Sequence, residues 1–169
     1  MNSTLSGLVY RVSGTVSTDD ILPARYKHTT TDPDELAGHV FEYSEPGLVP
    51  RLRASHAQGI VVGDDIFGIG SSREQAVSAL KAAGVVAVIA PAFGRIFFRN
   101  SWNLGVPAIA LATDTMEDGE QITIDLEQGL CRSEKHTMAF EAIHATLIDM
   151  VAAGGLLAQI AAGTGLPHV

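Results

Sequence analysis

Apolar positions along the chain fall into two kinds of stretch, and their alternation predicts the layers of the fold. Short unbroken runs occur at Gly59 to Val62, Val85-Val86-Ala87-Val88-Ile89-Ala90 and Ala108-Ile109-Ala110-Leu111. Runs of this length and composition fit parallel strands covered on both faces. Between them lie helix-forming stretches, Glu74 to Ala83 and Phe93 to Leu104, closed by Gly84 and by Gly105 with Pro107. Strand, helix, strand, helix, strand over residues 60–111 predicts a pair of right-handed crossovers and hence an α/β sheet. Gly7 to Val12 reads as a first strand, and Gln121 to Leu126 alternates as a half-buried one. Gly129-Leu130 is a turn into a further strand, Glu141 to Ala152 an amphipathic helix, and Leu156 to Ala162 a short final one. Towards the N-terminus, Ser17-Thr18-Asp19-Asp20 is a polar turn and Ile21-Leu22-Pro23 leaves it extended. Residues 25–31 form a polar loop, and Asp32-Pro33-Asp34-Glu35 starts a short helix that ends near Phe41. With no internal repeat or linker, residues 1–169 are expected to form a single domain.

Composition adds limits on partners and compartment. The 169 residues are 46% apolar and only 6% aromatic, which suits a core of Ala, Val, Ile and Leu. A chain of this size buries about 70% of its unfolded surface and needs neither disulfide nor metal to fold. The net charge of −8, from 11 basic and 19 acidic side chains, argues against a nucleic-acid or anionic-membrane surface. It leaves room for a local basic pocket, with Arg51/Arg53, Arg95/Arg99 and Arg25/Lys27/His28 as the basic groups. Cys131 is the only cysteine, so the chain alone forms no disulfide and no cysteine-held iron–sulfur cluster. No secretory signal and no membrane-length apolar run are read, and the expected compartment is the cytoplasm.

The densest chemistry lies at residues 63–75, Gly63-Asp64-Asp65-Ile66-Phe67-Gly68-Ile69-Gly70-Ser71-Ser72-Arg73-Glu74-Gln75. An apolar strand runs in and a helix runs out, so backbone N–H groups and the positive helix end converge on one small volume. Gly68 and Gly70 lack both the third glycine of a dinucleotide fingerprint and the Gly-Lys-Ser/Thr of a P-loop. Spacing alone fits equally a tight turn with Ser71 or Ser72 as helix cap. Arg73 is what tips the loop towards an anion, since a guanidinium can grip a substrate carboxylate bidentately while a serine reaches the carbon beside it. The acid pairs Asp19-Asp20 and Asp64-Asp65 read as turn and cap groups rather than metal ligands. The histidines have no zinc-site spacing, and no Gly-x-Ser-x-Gly elbow is present, so no metal site is assigned to the chain. Cys131 reads as a half-buried small hydrophobe. Phe93, Phe97 and Phe98 read as core or interface contacts, and Arg95 and Arg99 as a solvated face or a subunit contact.

Four segments, in order, resemble a known family: Asp19-Asp20-Ile21-Leu22-Pro23-Ala24-Arg25-Tyr26, Gly63 through Glu74, Ile89 through Asn100, and Asn103-Leu104-Gly105-Val106-Pro107. The chain is similar over about residues 5–130 to the small, swivel-domain subunits of 3-isopropylmalate dehydratase and their aconitase-superfamily relatives. Residues from about 141 to 169 are then a C-terminal helical extension. The resemblance implies a swivelling β/β/α domain, with a mixed or parallel sheet and flanking helices. It would close over a [4Fe–4S] cluster held by a separate large subunit, in a heterodimer or heterotetramer. It implies a hydro-lyase acting on a small hydroxy-diacid, with Ser71 as general base, Arg73 on a substrate carboxylate and Ser72 in contact with substrate. It also implies that the segment with Arg25, Lys27 and His28 samples the substrate's substituent. Lys27-His28-Thr29 is a polar sequence for reading an isopropyl group, which leaves homoaconitate-like and methylated malate substrates open. The chain departs from the pattern at Ile69, where the family usually has Cys, and at Gln75, where it usually has His. A small-anion binding module that kept the fold without the chemistry is the alternative from another class.

Overall fold

The computed structural model describes residues 2–71 and 73–163. Strand β1 (Thr4–Val12) is followed by β2 (Val16–Ser17), the single helical turn α1 (Thr18–Ile21) and a 3₁₀ turn at Ala24–His28. Then come α2 (Pro33–Ala37), α3 (Leu48–Ser55), β3 (Gly59–Gly63), β4 (Ile66–Ile69), α4 (Glu74–Ala82) and β5 (Val85–Ala90). The chain continues through β6 (Ala92–Phe93), α5 (Arg95–Asn103), β7 (Ala108–Ala110), β8 (Gln121–Asp125), β9 (Leu130–Arg132) and β10 (Thr137–Ala139). It finishes with α6 (Ala145–Ala153) and α7 (Leu156–Ala161).

Among these residues the main sheet has seven strands in the order β10-β9-β8-β1-β3-β5-β7. β1, β3, β5 and β7 are mutually parallel, as their apolar runs predict, whereas β8 pairs with β1 antiparallel, Thr4 facing Asp125. Strand parity divides the core in two. Tyr10, Val61 and Val88 point into a cluster with Leu52, Val77 and Leu80, while Val9, Ile60, Val62 and Ile89 point into the opposite one with Trp102, Ile122 and Ile148. Both faces are therefore covered, in agreement with an α/β sheet of mixed direction.

A second sheet, β2-β4-β6, is parallel and short. Sequence patterning reads its central strand as part of a loop, because Ile66 and Ile69 are exposed and Gly68 interrupts the run. What holds it is Phe67, fully buried and ringed by Phe41, Phe93 and Phe97 at centroid distances of 6.3, 6.2 and 5.2 Å. Other differences are local. Ser17 to Asp20 is not a simple turn but a capping box that starts α1, Ser17 accepting from the Asp20 amide and Asp20 from that of Ser17. The stretch at 24–28, read as loop, closes into a 3₁₀ turn. Helix α3 goes unread because Pro50, Arg51 and Arg53 interrupt its apolar face. Strand β10 is also new, and α6 begins at Ala145 rather than Glu141 because the His144 side chain caps it.

The two terminal helices are docked on the body. Lys81 Nζ donates to the carbonyls of Leu104 (2.9 Å) and Gly154 (2.7 Å), joining the ends of α5 and α6. Gly105 and Gly154 approach so closely that a Cβ on Gly105 would meet the Gly154 carbonyl carbon at 2.8 Å. Among the described residues no helix is long and apolar enough to cross a membrane.

Candidate functional site

The strand–loop–helix unit is built from β4 and α4. Gly68 and Gly70 have φ of +83° and +101°, a region that only glycine adopts without strain. A side chain on Gly68 would also collide with the Phe97 ring, and one on Gly94 with the Gly68 carbonyl, so the start of α5 is pressed against the loop. The loop thus turns outwards at Ser71. Ser71 is exposed, its carbonyl accepts a 2.8 Å hydrogen bond from Thr18 Oγ1, and its own hydroxyl bonds to none of the described residues. Ser72 lies outside the described residues.

α4 starts one residue later than a serine cap would require. Arg73 occupies the N-cap position, with φ −120° and ψ 120°, and among the described residues no side chain caps the helix. The first N–H groups of α4, three residues on from Ser71, are thus left uncapped by the described side chains. The Arg73 side chain is only 12% exposed. Its Nη2 donates to Asp19, while Nη1 is buried with no hydrogen-bond partner among the described residues. A buried guanidinium nitrogen without an acceptor costs free energy, and a carboxylate oxygen would remove that cost. Asp19 was not legible as the partner of Arg73, because the two residues are 54 positions apart and only the fold brings α1 against the loop.

The remaining acids have structural partners. Asp20 belongs to the capping box. Asp64 pairs with Arg11, whose Nη1 also bonds the Thr113 and Met116 carbonyls at 2.7 and 2.5 Å. Asp65 accepts from Thr15 Oγ1 at 3.2 Å. Among the described residues no group of three or more His, Cys, Asp or Glu side chains is gathered to hold a metal. Cys131 is fully rather than half buried, in β9 between two strands, and burial pushes its thiol up to about 11. It is packing, not a nucleophile or a cluster ligand.

Arg25 and His28 stand apart from the loop, on the 3₁₀ turn; the Lys27 side chain lies outside the described residues. His28 is exposed. Arg25 lies over the rings of Tyr26 (4.6 Å) and Tyr43 (5.2 Å) and donates to the Tyr26 hydroxyl and to Glu42 at 3.3 Å. Tyr26 donates to Glu42 at 2.6 Å and stacks on His39 at 3.8 Å. The Tyr26 hydroxyl, and then His39 and Arg25, hold the Glu42 carboxyl below its ordinary range, and the same Tyr26–Glu42 bond raises the Tyr26 phenol. Neither Glu42 nor His39 stands out in the sequence. Arg95, Ile96, Phe98 and Arg99 are exposed on α5, while Phe97 is core.

An exposed serine, a helix start that no described side chain caps and a guanidinium with one buried nitrogen unbonded among the described residues belong to one strand–loop–helix unit. Known proteins resemble the chain over most of its length. Residues 16–114 match the Aconitase C-terminal domain family. The chain is 42% identical over 156 residues to the 3-isopropylmalate dehydratase small subunit of Nautilia profundicola, with 90% of this chain and 92% of that one covered. It is 45% identical over 133 residues to the methanogen homoaconitase small subunit of Methanothermobacter thermautotrophicus, covering 79% and 75% of the two chains. The crystal structure of 3-isopropylmalate dehydratase from Methanocaldococcus jannaschii superposes with a TM-score of 0.82 at 34% identity, over 95% of each chain. The chain belongs to the family of aconitase-type small subunits to which those of 3-isopropylmalate dehydratase belong.

Proposed function

We propose that Ser71 and Arg73 act as one unit on a hydroxy-diacid, in the small subunit of a heteromeric 3-isopropylmalate-type hydro-lyase. Arg73 binds a substrate carboxylate through the nitrogen that lacks an acceptor, displacing or sharing the exposed Asp19. That contact sets the carbon beside the carboxylate near Ser71 Oγ. Ser71, as the alkoxide, takes the carbon-bound proton and becomes the neutral alcohol; the hydroxyl on the adjacent carbon leaves with its bonding pair, takes a second proton from an acid of the assembled complex to become water, and an alkene remains. Rehydration in the opposite sense, with Ser71 returning the proton, moves the hydroxyl between the two carbons. Ser72 is assigned a substrate contact, and the 24–28 turn, with Arg25, Lys27 and His28, the neighbourhood of the substituent.

An ordinary serine is far too weak an acid to exist as an alkoxide in water. The open helix end and the Arg73 guanidinium both stabilise the anion, but Ser71 is exposed and solvent screens them. The site therefore needs a second surface to close over it and exclude water. That surface is assigned to the large subunit, as is a [4Fe–4S] cluster, since this chain's one cysteine is buried in the sheet. When bound, the cluster supplies Lewis-acid assistance to the departing hydroxyl. Ile69 on β4 and Ile96 and Phe98 on α5 are exposed apolar side chains. A cytoplasmic compartment fits a biosynthetic subunit of this kind.

The observation that carries this reading is an exposed Ser71 two residues before Arg73, whose guanidinium has one buried nitrogen without a partner among the described residues. The test is anaerobic co-expression with the cognate large subunit, followed by ultraviolet detection of alkene from 3-isopropylmalate. Alkene formation requires both chains; formation by the large subunit alone would remove this chain from the chemistry. The polar Lys27-His28-Thr29 segment favours including homoaconitate in the same screen.

A further inference from the structure

Helix α5 presents an outward face that no acid among the described residues answers. With roughly 100° between successive residues, Phe98, Arg95, Arg99 and Ile96 follow one another around the helix. All four are exposed, while Phe97 and Ser101 behind them are buried. The arginines stand four positions apart, so they are neighbours across one turn and repel. Arg95 also lies in the first turn, which holds no acid, and its charge adds to the positive end of the helix. A solvated face in a chain with 19 acids and a net charge of −8 would draw some of them in. Arg11, Arg25, Arg51, Arg73 and Lys135 each have a carboxylate. Among the described residues the Arg95 and Arg99 guanidinium groups have neither an ion pair nor a hydrogen bond.

The start of this helix touches the strand that carries the Ser71 loop. The Gly94 amide, just before Arg95, donates to the Phe67 carbonyl at 2.9 Å. A Cβ on Gly94 would stand 3.2 Å from the Ile69 Cα, so β4 and the first turn of α5 are in contact at that point. Ile69 is exposed, and Ser71 follows it by two residues. Ile66, also exposed, pairs through its backbone with Ala92 of β6. The Phe98 ring lies 5.9 Å from that of Phe93, which pairs with Phe67. Exposed apolar side chains and uncompensated cations therefore meet where α5 abuts β4.

Charge and apolarity together specify what covers this face. A small anion would answer the arginines and leave Ile96 and Phe98 in water. A second copy of this chain, related by a two-fold axis, would set the same cations against each other. A protein surface that carries carboxylates between apolar side chains answers both, and arginine beside aromatic and apolar groups is what the centres of protein interfaces favour. We propose that the α5 face docks the large subunit, Arg95 and Arg99 meeting an acidic strip of that subunit and Ile96 and Phe98 its apolar border. The proposal rests on the hydro-lyase reading for the identity of the partner and adds the surface that holds it. Arg95, Ile96 and Arg99 are contact residues and take no part in proton transfer.

The test is titration of the labelled full chain with the cognate large subunit, read by fluorescence anisotropy at low and at high salt. The wild-type chain should bind more weakly as salt rises. The double variant Arg95→Gln, Arg99→Gln should raise Kd about tenfold at low salt and flatten the salt response. Ile96→Ser should raise Kd about fivefold at either salt. Wild-type Kd and salt response in both variants overturn the docking surface. Arg132→Gln, which removes an exposed arginine from β9, is the control, and an equal loss there would trace the effect to net charge and overturn the assignment. Self-association of the chain alone that the double variant abolishes, with large-subunit binding intact, would give the face to a second copy instead. In turnover, the double variant should need about tenfold more large subunit for half-maximal rate and then reach the wild-type kcat. A lower kcat at saturation would place the arginines in the reaction and overturn their contact role. Ser71→Ala separates the two claims: it should bind the large subunit with the wild-type Kd and fail to turn over. A wild-type complex that forms with the expected salt response but converts no hydroxy-diacid would end the hydro-lyase reading and leave the docking surface standing.

Discussion

Arg73 and Arg25 each meet a carboxylate, but Arg73 is 12% exposed and fills one arm of its fork with an exposed aspartate, while Arg25 is 60% exposed and lies between two tyrosine rings. The buried arginine is the incomplete one. Its Nη1 has given up water without gaining an acceptor among the described residues, a condition that a bound carboxylate relieves. The exposed arginine is the satisfied one, with Glu42 and the Tyr26 hydroxyl as acceptors. The contrast separates an arginine with a donor left open among the described residues from one whose charge is met inside the fold. An arginine is marked for ligand by what it lacks in the folded chain, not by how accessible it is.

The largest effect expected from that separation is on turnover. Ser71→Ala in the assembled complex should lower kcat about a thousandfold, the usual contribution of a general base, with KM little changed. Retained turnover would leave Arg73 as a mere anion site. Next is the packing that turns the loop outwards. Gly94→Ala drives a methyl into the Gly68 carbonyl and should cost about 3 kcal/mol, lowering Tm by about 10 °C in thermal unfolding. An unchanged Tm would mean that α5 can slide away from the loop.

A sharper cut compares the two arginines directly. Arg73→Lys replaces a fork with a point charge and should raise KM about tenfold, whereas Arg25→Lys should raise it about twofold. Equal effects in steady-state kinetics would erase the distinction. The smallest expected effect is in acid. Glu42 is held below its ordinary value of 4.5 by the Tyr26 hydroxyl and then by His39 and Arg25. A carboxyl whose folded pKa is depressed contributes stability fully present above the unfolded value and lost as pH falls through the folded one. The Tyr26–Glu42 contact should therefore hold at neutral pH and weaken only below about pH 4.5. Tyrosine fluorescence of the Glu42→Gln variant should lack that step.

Much of the frame was legible in the sequence because it follows from unbroken apolar runs. β3, β5 and β7, and the helices between them, lie where those runs and their glycine stops put them. The second sheet was not legible, since its strands have two to four residues and Ile66 and Ile69 face solvent. Their position depends on Phe67 finding Phe41, Phe93 and Phe97 from distant parts of the chain. The site divides in the same way. Ser71 and Arg73 are neighbours in a strand–loop–helix unit and could be read together. Asp19 and Glu42 could not, because Asp19 is 54 positions from Arg73 and Glu42 is 17 from Arg25. Reading Arg25 with Lys27 and His28 as one basic group followed their spacing, and the fold then turned the Arg25 guanidinium onto Tyr26, Tyr43 and Glu42.

Proton transfer at Ser71 is most directly tested by isotope exchange. The complex of this chain with its large subunit, held in deuterated water with a hydroxy-diacid substrate, should place deuterium on the carbon that loses its proton, at a rate tied to Ser71. Ser71→Ala should stop that exchange while still binding substrate through Arg73. Exchange at the wild-type rate in Ser71→Ala would contradict Ser71 as the base and assign proton abstraction to another group.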